Sequence, residues 1–278
     1  MLLYPLLLGV FSLISPWFSL ILLLGYSGKI IAQGRPRQLQ SLLLFMLAPL
    51  LAMLVDPGLP TRLLALDALL GVGVTLMVFI LALRRNHVLS DALMVAFLFL
   101  AGYGVLRFAL FGELQTSLFD QAVAAFETQF PLKLENDLLL QMQTMGRAVL
   151  PAVWIVSQGF ALVLGFMLFL RALKVSTVLE QLRFPSLYNM LIVAILPLFV
   201  LEQTKLIFLN ALISLCFIPL IQGAVIFWQK LGLIFNNRIV AGILMLLILI
   251  YANILLVLYG FADIWLNKNN YNPGGTTA

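Results

Sequence analysis

Charged side chains are what this chain has least of: Asp, Glu, Lys and Arg make up 10% of its 278 residues, against about a quarter in an ordinary soluble domain. It also has only one cysteine, Cys216, and one histidine, His87. A lone cysteine excludes an intramolecular disulfide and any multi-thiolate metal site. A lone histidine leaves zinc, haem and Ser-His-Asp chemistry short of ligands or bases. The chain carries no phosphate loop, no metal-ligand cluster and no paired catalytic carboxylates, so neither an enzyme nor a bound cofactor is expected. Sixteen Lys and Arg against eleven Asp and Glu leave a charge of +5, yet the basic residues are dispersed between apolar runs. Nucleic acid is therefore not an expected partner. What the chain does have is apolar surface: 63% of it is hydrophobic, and the runs are long enough to meet a lipid bilayer. The expected fold is all-α, a polytopic transmembrane helical bundle.

A crossing needs about 20 apolar residues. Residues 63–83, 92–111, 148–170, 206–228 and 239–261 satisfy this with at most one ionisable residue each. Residues 41–55 and 187–201 are shorter; each reaches roughly 22 Å as a helix against roughly 30 Å of hydrocarbon. They must thin the bilayer, borrow flanking residues or pack inside the bundle. The N-terminal run, residues 2–24, is either one helix or a short helix broken at Ser15-Pro16 and followed by residues 17–31. No Lys or Arg precedes it, so a cleavable signal peptide is not expected. The count is eight spans, or nine with the break. The chain divides into a membrane half at 1–111, an extracytoplasmic segment at 112–147, a second membrane half at 148–263 and a disordered tail at 264–278.

Loop charge gives an orientation. Lys29, Arg35 and Arg37, then Arg84 and Arg85, then Arg171, Lys174 and Arg183, then Lys230 and Arg238 occupy alternate loops, which face the cytoplasm on this rule. The intervening outer loops hold Asp56 with Arg62, the segment 112–147, Glu202 with Lys205, and a tail with Asp263 and Lys268. Within 112–147, Ser117 and Asp120 suggest a capping box, followed by Leu118, Ala122, Ala125, Phe126 and Phe130 on one helical face until Pro131. A second stretch, 136–147, aligns Leu138, Met142 and Met145 and runs into the next span. Two amphipathic helices result. They either lie among the lipid headgroups, the favoured reading, or form a lid.

Ionisable residues inside a span cost roughly 2.5 to 3.5 kcal/mol each on insertion scales and are functional candidates. Asp67 and Arg107 are the two, and they share a depth on antiparallel spans. They form an interhelical ion pair, or Arg107 anchors an anion with Asp67 as its resting partner, or Arg107 snorkels outward. Gln158, Asn210, Gln222 and Asn253 are amides within spans that need hydrogen-bond partners. Ser157-Gln158-Gly159 and Ile221-Gln222-Gly223 repeat one pattern. The two short spans each contain a proline, Pro49 or Pro197, and broken short helices in corresponding positions point to a transporter site. Ala48 and Ala52 form a small-xxx-small pair suited to close helix contact. The candidate ligand-binding set is Asp67, Arg107, Gln158, Asn210 and Asn253.

Arg183-Phe184-Pro185, Leu209-Asn210, Gln222-Gly223 and Tyr259-Gly260-Phe261-Ala262-Asp263, with Pro16-Trp17 near the start, resemble the YybS-like bacterial membrane proteins. Family members end in a basic cluster after the Asp, where this chain has Asn267-Lys268-Asn269-Asn270. That family is distantly similar to the substrate-capturing S components of energy-coupling-factor transporters. The resemblance implies a multi-pass protein of the bacterial inner membrane, and the loop charges put its C-terminus outward. It would bind a small solute from outside and dock on a membrane coupling subunit with paired ATPases. The alternative is a structural or assembly subunit of a larger membrane complex, with the same polar residues acting only between helices.

Overall fold

The computed structural model describes residues 3–86, 88–129, 136–175, 182–235 and 237–266. His87, Phe130, Pro131 and the tail from Asn267 lie outside the described residues. Among those described every regular element is helical.

The N-terminal run is split. Helix α1 spans Leu3–Ser12 and α2 spans Pro16–Ala32, because Pro16 has no N–H to continue the ladder and drives Ser15 out of the helical region to φ −145°, ψ 88°. At about 15 Å, α1 is too short to cross a bilayer alone. It lies against a 3-10 stretch, Pro36–Met46, where a side chain at Gly9 would strike the Phe45 carbonyl oxygen at 2.4 Å. That 3-10 stretch runs into α3, Leu47–Val55. The short run at 41–55 therefore borrows flanking residues, and the 3-10 rise of about 2.0 Å per residue lengthens its reach.

Helix α4, Leu59–Leu66, passes through a π-helical stretch, Asp67–Val74, into α5, Thr75–Asn86. Asp56 organises its entrance by accepting from the Gly58 N–H at 2.9 Å and from the Thr61 hydroxyl. Those two donors hold the Asp56 carboxyl below the usual range.

Helix α6, Leu89–Gln129, and helix α7, Asn136–Ala172, run 41 and 37 residues, about 60 Å and 55 Å. They stay paired antiparallel beyond any bilayer thickness: Gly104 faces Ile155, Phe119 faces Gly146, and Arg147 meets Asp120 at 2.7 Å. Residues 112–129 follow the break at Phe111 as a helix of their own, and the second stretch, from Asn136, runs on into the next span as α7. Helix α6 passes through Ser117 and Asp120 without starting there, so no capping box forms. The Asp120 carboxylate is engaged across the hairpin instead. Leu118 and Phe126 are exposed, and Phe119 packs against the partner helix.

Helix α8, Leu187–Ile195, tightens to a 3-10 turn at Leu196–Phe199; α9, Lys205–Leu215, and α10, Phe217–Ile234, follow as one segment broken at Cys216. The last run departs from a straight span over 239–261. Helix α11, Arg238–Tyr251, and α12, Asn253–Leu266, meet at a 96° bend, with Ala252 at φ −132°, ψ 30°. The bend lets α12 lie antiparallel along α10, where Gly223 abuts the Leu256 carbonyl and Gly260 abuts the Pro219 carbonyl. Only glycines permit that backbone contact.

The chain is thus an all-α, polytopic bundle. Among the described residues five segments are long and apolar enough to cross a membrane, Arg37–Val55, Leu59–Arg85, Leu89–Gln129, Leu140–Ala172 and Glu202–Ile234, or six if the bent pair is one span. Its core joins the halves. Phe79 packs edge-on to Phe166 and Phe169 at 6.0 and 5.2 Å, Phe97 stacks on Phe217 at 4.9 Å, and Gly28 lets α2 touch the Phe169 backbone of α7.

Candidate functional site

Asp67 and Arg107 meet, as their shared depth requires. Asp67 opens the π-helical stretch and is 4% exposed. Arg107 donates to it twice, Nε to Oδ1 at 2.7 Å and Nη2 to Oδ2 at 2.9 Å. This bidentate fork is the strong form of the pair. The Tyr103 hydroxyl donates to Oδ1 at 2.8 Å, and Arg107 Nη1 donates to Gln115 Oε1. Gln115 Nε2 returns to the Arg107 carbonyl at 3.2 Å, beside the kink at Phe111 where φ is −130°. The guanidinium lies 4.7 Å above the Trp154 ring, which also packs on Tyr103. Arg107 therefore does not snorkel. An anion reaching it would have to displace Asp67 from a network whose strong donors are already taken.

Asn210 solves a different problem. Pro151 sits inside α7, and in the turn beside it the Ala152 N–H and the Ala148 carbonyl turn to the neighbouring helix. Asn210 on α9 accepts from the Ala152 N–H at 3.0 Å and donates to the Ala148 carbonyl at 2.8 Å, so its amide stands in for a rung of the α7 ladder. It also donates to Leu206 O at 3.0 Å.

The remaining candidates do not join these. Gln158 is buried, next to Ser157, whose carbonyl accepts from Trp17 Nε1 at 2.8 Å. Asn253 is exposed at the start of α12. Of the five, only Asp67 and Arg107 come together.

A cavity of about 370 Å³ lies between α6, α7 and α9. Its walls are mostly apolar, Val105, Phe108, Ile155 and Leu206 among them, with Asn210, Ser214 and Arg147 as its polar groups. Neither Asp67 nor Arg107 lines it. Arg147 was not singled out from sequence, since it falls at a span boundary where a basic residue is ordinary.

A second polar cluster joins residues that loop charge had placed on opposite faces. Gln222 Nε2 donates to Asp263 Oδ2 at 2.8 Å, and Arg183 Nε stands 4.0 Å from the same oxygen. Arg183 and Asp263 thus lie together beside α10, although they fall in different loops by charge. Two helix breaks are the reason. Helix α8 begins level with Leu215, to whose carbonyl the Tyr188 hydroxyl donates at 2.8 Å. Helix α12 runs only far enough along α10 to bring Asp263 near the middle of the Glu202–Ile234 segment. The sequence signal was present: Gln222 adjoins Gly223, and Asp263 falls one turn past Gly260.

Compared with known proteins, the chain matches no family model, no curated protein and no solved structure.

Proposed function

We propose that the chain is an S-component-like membrane subunit that captures a small solute from the outer side and delivers it with partner subunits. The observation that carries this reading is the cavity between α6, α7 and α9: a small, largely apolar space with a few polar groups is the usual form of a solute site. Arg147 supplies donors there beyond the Nε that meets Asp120, and Arg107 and Asp67 brace the α6 wall from behind. With no nucleotide loop in the chain, uphill transport needs a coupling subunit and ATPases. Ala48 and Ala52, half-buried on α3 beside exposed Leu47 and Leu51, offer a surface for close helix docking.

On this reading the shorter helices Pro16–Ala32 and Leu187–Phe199 also cross, and with the bent C-terminal pair and the five long segments they make eight crossings. In the bacterial inner membrane this puts Gln33 in the cytoplasm, and both Glu127 and the C-terminus outside. Single cysteines on a Cys216→Ser background check it. A membrane-impermeant thiol reagent applied to intact cells should label a cysteine at Glu127 and spare one at Gln33; the reverse pattern rejects the orientation.

Native mass spectrometry of protein purified in mild detergent tests the function. Copurifying ATPases or a retained small molecule are expected, with the small molecule lost on Arg147→Ala and the ATPases lost on Ala48→Leu. The saturated Asp67–Arg107 network favours the second reading, a structural or assembly subunit whose polar residues only join helices. That reading replaces the first if neither species copurifies and both variants behave as the parent.

A further inference from the structure

One end of the bundle gathers positive charge around a cavity of about 630 Å³. Helices α2 and α7 lie parallel there: Trp17 reaches Ser157, Gly25 packs on Leu168 and Gly28 on the Phe169 backbone. Their last turns hold Lys29 and Arg171. Both residues line the cavity, with Tyr26 from α2 and Tyr4 from the start of α1. The two tyrosine rings pack with centroids 4.6 Å apart. No Asp or Glu lines the cavity, and among the described residues neither cation has an ion-pair partner.

A basic residue closing a span is ordinary by itself. Two on one cavity, with nothing acidic between them, repel each other and attract an anion. Neither is needed as a helix cap. The carbonyls at the end of α2 accept from the Gln33, Gly34 and Arg35 N–H groups, and those at the end of α7 from Leu173, Lys174 and Val175. Gly34 and Lys174 close these turns at positive φ. The negative ends of two helix dipoles, each about half a charge, offset part of the two positive charges and leave roughly one unmatched.

We propose that this cavity holds the headgroup of an acidic phospholipid, with Lys29 Nζ and the Arg171 guanidinium on its phosphate. A phosphodiester carries a single negative charge, the amount the site leaves unmatched. Position favours a lipid over a free anion. Arg171 lies at the end of the membrane-length segment Leu140–Ala172, the level at which headgroups sit and basic pockets between helices hold them. The cavity then continues along Leu22 and Leu168, both 38% exposed. Leu22 is about two turns deeper than Lys29 on the same helix, so an acyl chain below the phosphate meets apolar wall. The site is separate from the cavity between α6, α7 and α9, and its occupancy does not depend on a solute there.

Thermal unfolding of the full chain in dodecyl maltoside tests it, with phosphatidylglycerol, phosphatidylcholine of the same acyl chains, or sodium phosphate added at equal ionic strength. Phosphatidylglycerol should raise Tm in a saturable manner and well beyond phosphatidylcholine, and phosphate should not raise it. Lys29→Gln and Arg171→Gln, both at exposed positions, should each weaken the apparent affinity for phosphatidylglycerol about fivefold, the attraction of one basic residue for an anionic lipid surface. Arg84→Gln, in the last turn of α5 and outside the cavity, should leave that affinity unchanged. Equal rises with the two lipids would show that no charge is recognised. A rise with phosphate that phosphatidylglycerol does not exceed would make the ligand a free anion. Either result overturns the proposal. So does an unchanged affinity in both cavity variants, or a loss in Arg84→Gln equal to theirs, which is the mark of diffuse attraction to a basic surface.

Discussion

Arg107→Ala is expected to lower the unfolding free energy by about 3–5 kcal/mol, the cost of leaving a buried charge without its partner. Asp67→Ala should cost a similar amount. In the first variant the Asp67 carboxylate, 4% exposed, keeps only the Tyr103 hydroxyl of its three donors. In the second, Arg107 keeps Gln115 and the Trp154 face but loses both bonds to carboxylate. The double variant removes both charges, so it should be less damaging than the sum of the two singles. Thermal or denaturant unfolding of all four proteins in one detergent measures this. Additive losses would show that the two residues do not act as a pair. A hydrophobic replacement of both, such as Asp67→Leu with Arg107→Met, should recover more of the stability, because the pair repays little beyond its own desolvation.

Gly260→Ala is the second variant with a large expected effect, about 3 kcal/mol of destabilisation. A β-carbon there would lie 1.9 Å from the Pro219 carbonyl oxygen and 2.7 Å from the Gly223 nitrogen. Both are backbone atoms, so no rotamer change relieves the contact and α12 must move off α10. That movement also draws Asp263 away from Gln222. Gly223→Ala should behave alike, since its β-carbon would meet the Leu256 carbonyl oxygen at 1.9 Å. Gly232→Ala, in the same helix with nothing within 4 Å of the added carbon, is the control and should stabilise by up to about 1 kcal/mol through helix propensity. If Gly260→Ala unfolds with the parent, α12 does not dock on α10 in this way, and the contact of Asp263 with Gln222 falls with it.

How much was legible in advance differs between residues for physical reasons. The break at Ser15-Pro16 was readable because proline acts on its own backbone and on the residue before it. The meeting of Asp67 and Arg107 was readable because a charge in hydrocarbon has few choices of partner, and equal depth on neighbouring spans leaves one. The role of Asn210 was half readable. Its amide had to find partners, but nothing local says that they would be the backbone groups beside Pro151 on another helix. The meeting of Arg183 with Asp263 was not readable, because loop-charge counting assumes that each helix runs from one surface to the other. Helix α8 is short and α12 follows a 96° bend, so the residues at their ends come together beside α10.

By itself, then, the sequence determined the class of the molecule: 63% hydrophobic composition and runs of about 20 apolar residues leave only helices, since backbone polar groups in hydrocarbon must be satisfied within their own segment. It also determined which few polar residues needed a partner. Only the tertiary structure decided who those partners are. Close contact between helices is set by side-chain size at points far apart in the chain, as where Gly223 and Gly260 bring α10 and α12 into backbone contact, and that contact carries Gln222 to Asp263 across 41 residues of sequence.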